Sequence, residues 1–126
     1  MKLKNLMIFN AFVCLVIGIP LLLFPSELAT VFGLNLNPGG TLIARLFGGS
    51  ILGNVLITWF CRNDTGSISL FAAVLYLFVY HGINFFVCLW ATIAGIVGII
   101  GLTVVVIYLF FTLSYGNVLF SKKELI

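Results

Sequence analysis

Residues 41–60 read TLIARLFGGSILGNVLITWF, an apolar run long enough to cross a bilayer as a helix, yet one that carries a cation, Arg45, and an amide, Asn54. A charge at the centre of such a helix costs roughly 2.5–3.5 kcal/mol on insertion scales, and less near an interface. Something must compensate it. Nine residues separate Arg45 from Asn54, so at about 100° per residue they point to nearly opposite sides of one helix. Arg45 shares its face with Gly48, Gly49, Leu52, Gly53 and Leu56, whereas Ser50, Asn54 and Thr58 form a polar stripe at i, i+4 spacing. Small residues let another backbone approach, and polar side chains hydrogen-bond across helices; both join helices in lipid. This span therefore requires a neighbour on each side.

The rest of the chain fits that environment. Of 126 residues, 63% are hydrophobic and 7% charged, and the mean hydropathy is +1.30, which excludes an ordinary soluble domain. The charges gather at Lys2 and Lys4, at Arg62 and Asp64, and at Lys122, Lys123 and Glu124. The net charge of +3 therefore sits at span ends, where membrane orientation and lipid head groups account for it, and forms no patch for nucleic acid. Cys14, Cys61 and Cys88 are odd in number, lack a CxxC spacing and fall in or beside apolar segments, so they read as structural thiols.

Taken in order, the sequence gives an all-α integral membrane protein, a bundle of four transmembrane helices in a single domain. Span one covers 5–24; its apolar run exceeds a signal-peptide core and no A-x-A-like site follows it. Pro20 is expected to kink its outer end, and Asn10, Cys14 and Gly18 line up at i, i+4, i+8 as its packed side. An interfacial loop, 25–40, holds a short amphipathic turn from Ser26 to Phe32 ended by Gly33, and Asn37-Pro38 supplies the cap and first turn of span two, 41–60. After a polar break at 62–67, apolar residues run from Ile68 to Phe120, too far for one crossing of about 20 residues. We expect span three at 68–90, a hairpin at 91–95 and span four at 93–115. Trp59 and Trp90 then mark opposite interfaces, and both termini lie with Arg62 on the basic, hence cytoplasmic, side of a bacterial inner membrane. Asn63-Asp64-Thr65 on that side is a chance glycosylation sequon.

Candidate binding chemistry collects on span three. Asn84 and Cys88 lie near the direction of His81, and Tyr76 and Tyr80 extend the arc. Because span two descends while span three ascends, Arg45 and Asn84 should share a depth, giving a possible ligand site of Arg45, His81, Asn84 and Tyr80 with Glu27 as counter-charge. The competing reading has Arg45 snorkelling or pairing with Glu27, and His81 as a hydrogen-bonded packing residue. Gly48, Gly49, Gly53 and Asn54, with Gly98 and Gly101 of span four, are the expected packing or partner contacts. No catalytic set, cofactor motif or metal cluster can be read. A proton-coupled transporter would want an embedded carboxylate, and the spans carry none beyond the interfacial Glu27.

FPSELATVFGL at 24–34, followed by ARLFGGSILGN at 44–54, resembles the start of small bacterial four-helix membrane proteins of the DoxX-like kind. That resemblance covers spans one to three, highlights Arg45, Gly48, Gly49 and Gly53, and implies subunits of membrane oxidoreductases that pass electrons to quinone; it transfers no catalytic residue. Two functions follow. The leading one is a non-catalytic accessory subunit of a larger membrane complex, or a self-associating bundle. The alternative is a binder or carrier of a quinone, lipid or anionic amphiphile at a polar site around Arg45.

Overall fold

The computed structural model describes residues 1–121 and Leu125; Lys122, Lys123 and Glu124 of the last charge cluster lie outside the described residues. The chain is all-helical: α1 (Leu3–Leu23), α2 (Pro25–Val31), α3 (Pro38–Cys61), α4 (Ile68–Ile93) and α5 (Gly101–Ser121). Four of these, of 21, 24, 26 and 21 residues, are long and apolar enough to cross a membrane. At about 1.5 Å per residue they reach roughly 31–39 Å, against a hydrocarbon core of about 30 Å. This is a multi-pass membrane protein.

The helix starts obey local chemistry. Asn37 caps α3 by accepting the Gly40 N–H at 2.6 Å, with Pro38 in the first turn. Ser67 caps α4 by accepting the Leu70 N–H at 2.9 Å, and its own hydroxyl donates to Asp64. α2 forms where the amphipathic turn was expected, and Gly33 ends it at a φ of +76°. α1 continues through Pro20 to Leu23.

One boundary moves. α4 runs on to Ile93 and α5 starts at Gly101, so the turn occupies 94–100 instead of 91–95, and the last helix extends to Ser121 instead of residue 115. Nothing between Trp90 and Ile93 breaks a helix, and the turn comes where Gly95, at a φ of +75°, can reverse the chain. Gly98, expected on the face of span four, lies in this turn.

The long helices associate as two pairs. α1 packs along α3 and α4 along α5, whereas α3 meets α4, and α1 meets α5, only narrowly. The first pair is tight because glycines face each other: a methyl group on Gly48 would stand 3.0 Å from the Leu22 amide nitrogen and 3.2 Å from the Gly18 carbonyl oxygen. Backbone cannot step aside for it. Toward the end of the bundle that holds the termini, Leu3, Leu6 and Met7 of α1, Leu70, Val74 and Leu77 of α4, and Phe111, Tyr115 and Val118 of α5 close into a buried cluster. Elsewhere the long helices turn Phe12, Leu46, Phe86, Leu113 and many other large apolar residues outward, the arrangement that hydrocarbon favours.

Gly49 and Gly53 behave differently from Gly48, since a methyl group added at either meets no atom of a neighbouring helix within 4 Å. In a detergent thermal-denaturation series, Gly48→Leu should cost about 1–3 kcal/mol by overpacking. Gly53→Leu should leave the midpoint nearly unchanged, and equal losses would contradict the crossing described here.

Candidate functional site

Asn10 is fully buried in the apolar interior of α1, where an amide left unpaired is costly. Three of its four hydrogen-bonding positions are used. Its Nδ2 donates to the Tyr115 hydroxyl of α5 at 2.9 Å and contacts His81 Nε2 of α4 at 3.2 Å, and its Oδ1 accepts from the Cys14 thiol at 3.2 Å. With the amide so oriented, His81 Nε2 is the acceptor and the ring proton sits on Nδ1. The imidazole is wedged against Phe111, with ring centroids 4.8 Å apart, and lies parallel to Tyr115 at 5.9 Å. Three helices thus meet at one amide.

Beside this junction, toward the end of the bundle away from the termini, lies a cavity of about 320 Å³. It opens between the two helix pairs because they touch so little there. α1 and α3 supply Asn10, Cys14, Ile17, Ala44, Phe47 and Ile51; α4 and α5 supply Tyr80, His81, Cys88, Val104, Tyr108 and Phe111. Leu28, Ala29 and Phe32 of the α2 segment and Val97 of the 94–100 turn close its far end. Those two connections are joined by the Gly98 N–H, which donates to the Phe32 carbonyl at 3.0 Å. No Asp, Glu, Lys or Arg side chain lines the cavity.

Two lining residues carry buried polar atoms without a hydrogen-bond partner among the described residues: Nδ1 of His81 and the hydroxyl of Tyr80. Both lie on α4, on neighbouring rings whose centroids are 5.2 Å apart. A third such atom, Nδ2 of Asn54, lies next to Cys14 and Tyr80. Unpaired buried polar groups are scarce in folded proteins, and these three lie on α3 and α4.

The expected site is brought together only in part. Tyr80 and His81 face the cavity, but Asn84 does not line it; its amide donates to the Tyr80 carbonyl one turn back, at 2.8 Å. Arg45 lies on the exposed face of α3, away from the cavity, and makes no ion pair with Glu27 or any other described residue. Arg45 and Asn84 can share a depth without sharing a site, because α3 turns Gly48, Ile51, Asn54 and Thr58 inward, which carries Arg45 outward. Asn54, an expected partner contact, is consumed inside the chain, where its Oδ1 accepts the Tyr76 hydroxyl at 2.6 Å. Gly101 packs against its own turn, near Val97 and Thr92. Asn10, Tyr108 and Tyr115 were not among the site candidates, although the Asn10–Cys14–Gly18 stripe already marked the packed side of α1.

Asn10→Leu should cost about 1–3 kcal/mol in all, from two interhelical hydrogen bonds at roughly 0.6–1.7 kcal/mol each. Thermal denaturation in detergent measures it, and a neutral effect would show that the junction does not join the pairs. No protein-family model, no curated protein and no solved structure matches this chain.

Proposed function

We propose that this protein binds a small, mainly apolar molecule in the cavity between its two helix pairs. The observation that carries this reading is the cavity of about 320 Å³ between the pairs, whose wall is nearly all hydrocarbon and includes His81 and Tyr80. Small-molecule sites are predominantly apolar concavities, and about 320 Å³ falls at the lower end of their usual volumes of roughly 300–1,000 Å³. The site centres on α4 and α1. An anionic amphiphile anchored by Arg45 is disfavoured, because that side chain points elsewhere.

A second reading, an accessory subunit or a self-associating bundle, is favoured by a different surface. Arg45 shares the outer side of α3 with Leu42, Leu46 and Leu56, all exposed, and with Gly49, above which there is open space. A helix of a larger complex, or of a second copy, bringing an acceptor to Arg45 would satisfy both the charge and the gap. The resemblance of spans one to three to DoxX-like membrane subunits agrees with it. The orientation that accompanies either reading has both termini in the cytoplasm of a bacterial inner membrane. It is supported by Lys2, Lys4 and Arg62 at one end of the bundle and by the lack of Lys or Arg in 25–37 and 94–100.

Ala91 lines the cavity, so Ala91→Phe should fill part of it and remove a molecule that native mass spectrometry detects on the wild-type protein. Equal occupancy in the two proteins would overturn the binding function. For the second reading, Gly49→Leu should lower the yield of a co-purifying chain or of cross-linked dimer several-fold. A wild-type protein that runs only as a monomer with nothing attached would end it.

A further inference from the structure

We infer, resting on the reading of the cavity as a binding site, that its guest is a single extended hydrocarbon chain, lying along the helices and held by shape and dispersion without a hydrogen bond. The wall decides the chemistry. It carries no Asp, Glu, Lys or Arg side chain and presents almost no polar surface. Asn10 is engaged by His81, Tyr115 and Cys14, and the Thr92 hydroxyl donates to the Cys88 carbonyl one turn back. Nδ1 of His81 and the Tyr80 hydroxyl are buried out of a guest's reach, the latter against Tyr108 and Asn54. A carbonyl, hydroxyl or charged head placed in the cavity would give up its hydrogen bonds and find none in return. A methylene chain gives up nothing.

The dimensions decide the shape. Lining residues run from Asn10 to Leu21 on α1, from Tyr80 to Thr92 on α4 and from Gly101 to Phe111 on α5. At about 1.5 Å per residue each stretch covers about 15–18 Å along its helix. A volume of about 320 Å³ drawn out over that length leaves a cross-section of about 20 Å², the girth of one polymethylene chain. At about 30 Å³ for a group the size of water or a methylene, the same volume takes about ten carbons. Ile17, Phe47, Ile51 and Val104 then surround the chain and supply dispersion contacts along its length. Acyl chains of a bilayer run in the same direction as the spans. The chain therefore belongs either to a lipid whose head group stays outside or to a free hydrocarbon.

The test supplies labelled decane, 5-decanone and adamantane, equal in carbon number, separately to the full chain in nanodiscs and reads retention above that of empty nanodiscs. Decane should be retained roughly 3- to 10-fold better than 5-decanone, which forfeits one neutral hydrogen bond. It should also be retained several-fold better than adamantane, which is too wide for the channel. These ratios are read on the wild type alone, so they stand even where Ala91→Phe fails to fold. Native mass spectrometry then names the source: a whole phospholipid that Ala91→Phe lacks marks a lipid tail, and decane alone marks a free hydrocarbon. Retention of 5-decanone or adamantane equal to or above that of decane would overturn this inference and leave the binding function standing. A wild type that holds none of the three, and no phospholipid beyond those on Ala91→Phe, would overturn both.

Discussion

The hydrogen-bonding requirement of one buried amide organises this bundle. Water is absent from the hydrocarbon core, so the side chain of Asn10 must find all of its partners within the protein. It finds them on its own helix in Cys14, on α4 in His81 and on α5 in Tyr115. Because lipid tails are as apolar as leucine, burial of hydrocarbon gives helices little reason to associate in a membrane. The Asn10 junction supplies a directional reason, and it joins the α1–α3 pair to the α4–α5 pair alongside the Tyr76–Asn54 hydrogen bond.

Within each pair the means of association differs. α1 and α3 approach through glycine, with the Gly48 backbone against Gly18 and Leu22. α4 and α5 meet through larger groups, with Phe78 against Gly116 and the aromatic stack of His81, Phe111 and Tyr115. A close crossing on one side and a bulky one on the other leave the pairs in firm contact toward the termini, where Leu6, Met7, Val74 and Phe111 interlock. At the other end they stand apart. The cavity is the space that remains.

Arg45 sets a separate condition. A guanidinium on the outer face of a span, seven residues past the start of α3 at Pro38, lies about 10 Å along the helix from that end. From there its long side chain can reach the head-group region, or be met by another helix across the open ground above Gly49. Neither arrangement involves the cavity. The interior of the bundle and the outer face of α3 are therefore independent surfaces.

Composition and spacing alone determined that the chain is helical, that it crosses a membrane four times, that Asn37 and Gly33 bound the connection into α3, and that Asn10, Cys14 and Gly18 face inward. These features depend on local hydropathy, capping and periodicity, all of which can be read along one segment at a time. The rotation of α3 was decided by tertiary packing, because Gly48 and Asn54 both face inward only once α1 and α4 are in place, and that rotation sends Arg45 out. The turn after α4 also fell later than expected, since an apolar run without a proline or a polar break carries no local mark of where it reverses. The cavity was decided in three dimensions as well: His81 and Tyr80 could be singled out as polar residues in a span, but their unpartnered atoms depend on which neighbours Asn10 and Asn54 chose.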